Sequence, residues 1–225
     1  VMVALDVSNS MLARDYSPDR LDRAKLAISR LVDKLNGDRI GLVLFAGTSF
    51  VQLPITTDYV SAKMFLNNIS TESVPVQGTA MGDAINTCIR SFSAQSEKSR
   101  AIIVITDGEN HEDDPVAAAK QAADMGIMVY TIGVGSQQGQ PIPMKNGLLK
   151  DSKGNIVVTK LDENTLKEVA KAGNGAYVHA GNDEFGLNPV INDIRKLDEE
   201  EFKSIVFEEY DEQFMYFFAI DVVLF

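Results

Sequence analysis

The 225-residue chain has no tryptophan, one cysteine and two histidines. A single cysteine, Cys88, excludes an intrachain disulfide and a cysteine-rich zinc site. It does not decide the redox compartment. Cys88 falls in an apolar helical register and is expected as a small core residue. Cationic side chains are also scarce. There are 21 Lys and Arg against 32 Asp and Glu, a net charge of −11, so no basic stripe is present to neutralise phosphates. That balance argues against a nucleic-acid partner and suits a cation or a basic protein surface better. No glycine-rich phosphate loop ending in Lys occurs, so nucleotide hydrolysis is not expected, and Gly133 and Gly135 lack the third glycine of a dinucleotide fingerprint. No apolar run reaches the roughly 20 residues of a membrane helix, and no signal-peptide pattern opens the chain. The chain begins abruptly inside a strand-like run, so Val1 is expected to be a boundary within a longer protein, with any upstream targeting or membrane segment left open.

What is present is 45% apolar residues, enough for a core at this length, in strand-like and helix-like stretches that alternate. That alternation predicts an α/β fold with a mostly parallel sheet. The first strand is expected over 1–6. Ser17-Pro18-Asp19 offers a helix start with proline in the first turn, followed by Leu21, Ala24, Ile28, Leu31, Val32 and Leu35 at helical spacing up to Asn36-Gly37. Ile40 to Ala46 and Ser49 to Ile55 read as a hairpin turning near Gly47. Asp58 caps a helix to about Ile69, and Gly78-Thr79 opens another carrying Ala80, Ala84, Cys88 and Ile89. Ala101 to Thr106 is the β-branched run of a strand buried on both faces. Pro115 starts an alanine-rich helix that stops at Gly126, and Ile127 to Val134 is the next strand. Residues 135–159 read as an inserted loop with a small β-hairpin around Asp151-Ser152-Lys153-Gly154. Asp162 caps a helix to Ala172, Ala176 to His179 is a last short strand, and Asn188 to Phe202 is expected to be helical.

These elements place one domain over 1–202. Residues 203–225 are of another character. Asp198 to Glu212 holds eight acids and one Lys, and an aromatic and apolar run follows from Phe214. That run is either the start of a membrane span completed further on or a core strand or helix; Asp221 speaks against the first, since a carboxylate is costly in hydrocarbon.

The chemistry concentrates in Asp6-Val7-Ser8-Asn9-Ser10, directly after an apolar strand. Ligands in open parallel sheets bind at C-terminal strand ends, where the strand order reverses. If the strands ending at Asp6 and Thr106 are neighbours there, Asp6 and Asp107 face each other, with Ser8 and Ser10 on one loop and Thr79 on another. Taken singly, the serines are ordinary turn residues and Thr79 a helix cap. Together, five short oxygen donors on three loops suit a hard cation such as Mg²⁺, which takes about six oxygens and keeps some waters. The absence of His and Cys disfavours zinc. His111, in the acidic loop Glu109–Asp114, is expected in a solvated loop, with a second cation or a binding rim as the alternative, and His179 in a structural role.

The same residues carry a resemblance. Asp6-Val7-Ser8-Asn9-Ser10, Gly78-Thr79 and Thr106-Asp107-Gly108 resemble the metal-ion-dependent adhesion site of von Willebrand factor A domains, in order and spacing, across residues 1 to about 197. The resemblance implies a Rossmann-like sheet with one antiparallel edge strand, the third, and helices on both faces. It implies that Ser8 and Ser10 ligate the metal (Mg²⁺, or Mn²⁺ or Ca²⁺), that Thr79 does so directly or through water, and that Asp6 and Asp107 act mainly through waters or hydrogen bonds. Ser10-Met11-Leu12-Ala13-Arg14-Asp15-Tyr16-Ser17-Pro18-Asp19-Arg20-Leu21, Gly41-Leu42-Val43-Leu44-Phe45-Ala46-Gly47 and Thr106-Asp107-Gly108-Glu109-Asn110-His111 are similar to the Bat-type aerotolerance proteins of bacteria. That similarity implies a domain held between transmembrane helices at the bacterial inner membrane, on the periplasmic side, and a link to other Bat-type proteins and a MoxR-type AAA+ ATPase.

The function expected is cation-dependent protein binding without catalysis: an open metal position accepts a carboxylate from a partner's Asp or Glu, and the exchange shifts the loops around Thr79 and, by analogy, the last helix. A chelatase-type accessory domain working with an ATPase keeps the site and changes the partner. A Mg²⁺-dependent phosphohydrolase of the haloacid-dehalogenase type also places Asp at the first strand end, but needs a second Asp where this chain has Ser8, and so lacks its proton-transfer partner.

Overall fold

Met2, Val3, Ala4, Leu5 and Asp6 are wholly buried, which requires cover on both faces of the strand they form. The computed structural model, which describes residues 1–35, 37–92, 100–110, 112–180 and 189–194, supplies it. In chain order the elements are β1 (Met2–Asp6), a 3₁₀ turn (Asn9–Leu12), α1 (Arg20–Lys34), β2 (Ile40–Phe45), β3 (Ser49–Thr56), α2 (Tyr59–Asn67), a second 3₁₀ turn (Thr71–Ser73), α3 (Met81–Ser91), β4 (Arg100–Thr106), α4 (Pro115–Asp124) and β5 (Ile127–Gly133). Four two-residue strands follow: β6 (Gln140–Pro141), β7 (Pro143–Met144), β8 (Gly147–Leu148) and β9 (Val158–Thr159). Then come α5 (Glu163–Ala172) and β10 (Asn174–His179).

The main sheet runs β10-β5-β4-β1-β2-β3. All its pairings are parallel except β2 with the edge strand β3, as the sequence predicts. Alternation along each strand divides the core. Val3, Leu5, Leu42, Leu44, Ile103 and Ile105 pack with α1, α2 and residues 189–194. Met2, Ala4, Val43, Phe45, Ile102 and Val104 pack with α3, α4 and α5. Each such Val, Leu, Ile, Met or Phe side chain contributes about 1.5–3 kcal/mol by leaving water, and the pleat sends alternate residues to opposite layers. The chain passes from β1 outward to β2 and β3 and then crosses back to β4 on the other side of β1. The order therefore reverses between β1 and β4, and both strands end at the same crevice.

Two helix starts and the pairing of the insertion differ from the sequence reading, and the last strand begins at Asn174, two residues before Ala176. α1 begins at Arg20 with Asp19 as its cap, its carboxylate accepting from Asp22 N at 2.8 Å, so Pro18 stands before the helix and not in its first turn. α3 begins at Met81, later than Gly78-Thr79, because its first amides are satisfied from elsewhere: Asp113 accepts from Gly82 N at 2.9 Å and Asp83 N at 2.7 Å, and Asn110 from Met81 N at 3.2 Å. The insertion is two small pairings instead of one hairpin, β7 with β8 and β6 with β9, and its turn forms as read, with Gly154 N donating to Asp151 O at 3.0 Å. Both ends of the insertion are fastened inward, Ser136 N to Asp15 at 2.7 Å and the Thr159 hydroxyl to Asp107 at 3.0 Å, while residues 151–156 are exposed. The expected helix over 188–202 is described only for 189–194, which is helical and joined to the sheet by Tyr130 donating to Asp193 at 2.8 Å. His111, the acidic stretch 198–212 and the run from Phe214 lie outside the described residues.

Candidate functional site

The crevice is built from the ends of β1 and β4 upward. After β1, Ser8 N turns back to donate to Asp6 Oδ1 at 2.8 Å. The 3₁₀ turn that follows, with Met11 N on Ser8 O and Ala13 N on Ser10 O, puts both serine hydroxyls on one side, their Oγ atoms 2.9 Å apart. Ser8 and Ser10 are buried, at 4% and 8% exposure. The other oxygen of Asp6 accepts from the Thr106 hydroxyl at 2.6 Å. Asp107 Oδ1 accepts from Glu109 N at 3.2 Å, and its Oδ2 from Arg20 Nη1 at 2.9 Å and the Thr159 hydroxyl at 3.0 Å. The turn after Asp107 needs Gly108, at φ +82°, where a Cβ would lie 2.6 Å from the Asp162 carbonyl oxygen. Thr79 is also buried, and its loop is fastened to the serine loop by Asn9 N donating to Gln77 Oε1 at 2.9 Å. All five residues singled out from the sequence thus stand on the loops around one switch point.

Electrostatics mark the same place. Burial first, and then the charge of Asp107, push the Asp6 carboxyl up to about 7, with the bonds from Thr106 and Ser8 pulling the other way. Burial also raises Asp107, opposed by the charge of Arg20 and the Ser10 hydroxyl. Two neighbouring carboxylates that both resist ionisation form a crevice short of positive charge. Among the described residues no three His, Cys, Asp or Glu side chains gather to hold a metal.

Four further residues belong to the site and were given no role from the sequence: Asp15, Arg20, Thr106 and Thr159. Arg20 is fully buried and grips Asp15 with two bonds, Nε to Oδ1 at 2.8 Å and Nη2 to Oδ2 at 2.7 Å. Burial alone would raise Asp15, but the hydrogen bonds and charge of Arg20 hold it below the ordinary carboxylate range. The signal for Arg20 was present but ambiguous, a charged residue at the start of a helix. Thr159 carried none, lying in a segment without periodicity.

Residues 1–188 match the von Willebrand factor type A domain family. Among curated relatives, the chain is 31% identical over 199 residues to a UPF0353 protein of Nocardia farcinica, covering 80% of this chain and 57% of the relative. It is 28% identical to an uncharacterized protein of Borreliella burgdorferi, covering 87% and 58%. The chain thus spans less than two thirds of these relatives' length. Among solved structures, BatB of Bacteroides thetaiotaomicron is 51% identical with a TM-score of 0.85 (88% of this chain, 98% of that one). An aerotolerance-related membrane protein of Bacteroides fragilis is 50% identical with a TM-score of 0.84, covering 87% and 98%. The mussel byssus matrix protein solved with a zinc-occupied adhesion motif shares the fold alone, at 18% identity and a TM-score of 0.63 (87% and 44% covered). The names of these relatives carry no catalytic role. The sheet order, the switch-point crevice and these matches agree: the chain belongs to the von Willebrand factor type A family, as the domain of a Bat-type protein.

Proposed function

We propose that this domain is a divalent-cation-dependent protein-binding module that performs no catalysis. Ser8, Ser10 and Thr79 hold one Mg²⁺ (or Mn²⁺ or Ca²⁺), Asp6 and Asp107 act on it through waters and hydrogen bonds, and a partner's Asp or Glu carboxylate takes a remaining position. The observation that carries this reading is the serine pair. Their 2.9 Å separation is a hydrogen-bond length; it also equals the edge of an octahedron with Mg–O distances of about 2.0–2.1 Å, roughly 2.9 Å. The occupied carboxylates support the indirect roles: both oxygens of Asp6 and of Asp107 already accept bonds from the chain's own donors. When bound, the cation supplies an electrophilic position for a carboxylate oxygen, and the chain's part is to orient the hydroxyls and exclude water around them. A groove of about 760 Å³ opens beside the serine loop, lined among others by Asn9, Leu12, Gln77, Met144 and Lys145, and gives room for the partner's residues on either side of that carboxylate.

Against phosphoryl transfer, Ser8 occupies the place of a second catalytic carboxylate and its hydroxyl is engaged with Ser10. The likeness to a Bacteroides fragilis membrane protein supports a membrane-anchored parent; the side assigned to this domain in our reading is the periplasmic side of the bacterial inner membrane. Among the described residues no helix is long and apolar enough to cross a membrane. From Ser204 to Phe225 there is no Lys or Arg, which fits a non-cytoplasmic flank.

Calorimetry tests the site. Mg²⁺ or Mn²⁺ binding is expected in the wild type and nearly absent after Asp6→Ala or Asp107→Ala; undiminished binding in both variants overturns the assignment. Pull-downs from a bacterial envelope extract, with and without chelator, test the partner and separate a Bat-type protein from a MoxR-type ATPase. A phosphatase activity at saturating Mg²⁺ that Asp6→Asn abolishes would defeat the non-catalytic reading. A reporter fused before Phe214 that works only in the cytoplasm would defeat the periplasmic placement.

A further inference from the structure

Arg20 is an unusual investment for a core. It is 0% exposed and enclosed by Asp15, Asp107 and Thr159, and Nη1 also lies 3.5 Å from Ser10 O. Gly135, at φ +134°, is the residue that admits it: a Cβ there would stand 2.8 Å from Arg20 Cζ. Buried ion pairs are poor stabilisers, since apolar side chains of the same volume hold a core as well or better. A glycine kept open around a fully buried guanidinium therefore asks for a reason other than stability.

The charges supply one. Asp6, Asp107 and Asp15 are three buried carboxylates, the side chain of Asp15 being 5% exposed, and Arg20 is the buried cation among them. With all three carboxylates ionised around a bound cation, three negative charges and one positive leave two, the charge that one divalent ion cancels. Glu109 adds a carboxylate only at the half-buried rim, where water and the Lys160 amide meet it. We propose that Arg20 fits this crevice to divalent ions: its guanidinium cancels one carboxylate, and its bond to Asp107 Oδ2 keeps that oxygen turned away from the cation. This rests on the cation site proposed above. A bidentate, permanently charged fork suits the task better than an ammonium, which would hold Asp15 and Asp107 less rigidly.

The experiment measures affinities of the full chain for Mg²⁺ and for La³⁺ by calorimetry, with circular dichroism to confirm folding. Arg20→Met removes the internal cation and leaves three charges. The La³⁺-to-Mg²⁺ affinity ratio should then rise about tenfold or more, because a trivalent ion feels the uncovered charge once more than a divalent one at close range. Asp15→Asn leaves one charge, and the ratio should fall by a similar factor. Arg20→Lys keeps the charge and should hold the ratio within about twofold. If Arg20→Met does not fold, the fall in Asp15→Asn and the constancy in Arg20→Lys still decide. A purely structural Arg20 would lower both affinities together, and an unchanged ratio, or both variants shifting the same way, overturns the inference while leaving the site intact. A wild type that binds neither ion sinks the site and this inference together.

Discussion

Chelated protein should be stabilised by Asp6→Asn at pH 8.5, although the same change is expected to abolish metal binding. In the metal-free fold the Asp6 carboxyl rises from its ordinary 3.8 to about 7, first through burial and then through repulsion by Asp107. A carboxyl whose folded value lies above its unfolded value contributes stability that is full below about pH 4 and is lost as pH rises through 7. At about 1.4 kcal/mol per pH unit, that loss is on the order of 4 kcal/mol by pH 8.5. Asparagine has the shape of the protonated acid and cannot ionise. Its oxygen can keep the bond from Ser8 N; the amide faces the Thr106 hydroxyl, which must turn, at a cost of about 1 kcal/mol. The net gain is then about 2–3 kcal/mol, or roughly 5–10 °C in Tm for a domain of this size. At pH 5 in chelator the advantage should vanish or reverse. Mg²⁺ at 1,000 times Kd and pH 8.5 should put the wild type ahead, since binding then adds about 4.1 kcal/mol to the wild type alone. Thermal melts under these three conditions check all of it. An equal loss of stability in Asp6→Asn at both pH values in chelator refutes the electrostatic reasoning.

Other perturbations test neighbouring parts. Asp113→Ala removes the distant cap of α3 and should cost about 1–2 kcal/mol in a denaturant titration. It should also weaken Mg²⁺ binding, because the same helix start carries the Thr79 loop. Gly108→Ala forces an L side chain to φ +82° against the Asp162 carbonyl and should destabilise by more than about 1 kcal/mol, with Tm falling at every pH. Thr159→Val deletes a hydroxyl bonded to Asp107 and contacted by Arg20, and should cost about 1–2 kcal/mol of stability without abolishing Mg²⁺ binding.

The legible parts of this molecule are those where one local rule decides. Ala101 to Thr106 is a continuous β-branched run, and such a run is a doubly covered strand wherever it occurs. Asp58, Asp114 and Asp162 accept from amides two or three residues ahead, a wholly local device readable by eye. The gathering of Asp6, Ser8 and Ser10 at one strand end was legible because the three sit within five residues, and Thr79 and Asp107 flank recognisable turns. What stayed hidden is long-range. The cap of α3 comes from Asp113, some thirty residues on, so the local sequence points to a helix start at Gly78-Thr79 while the helix begins at Met81. Arg20 looks like an ordinary charged residue at a helix start, and only the approach of Asp107 and Gly135 shows that it is interior. The two-residue strands of the insertion are too short for any period to show.

The insertion between Ser136 and Thr159 has a practical consequence. Its roots are clasped by Asp15 and Asp107, while the turn at 151–156 is exposed. Mechanical load on that turn is borne by the roots, so it is the place to graft a fluorophore, an affinity tag or a surface tether. A label placed there alters none of the oxygen-bearing side chains of the crevice and none of the residues that wall the groove.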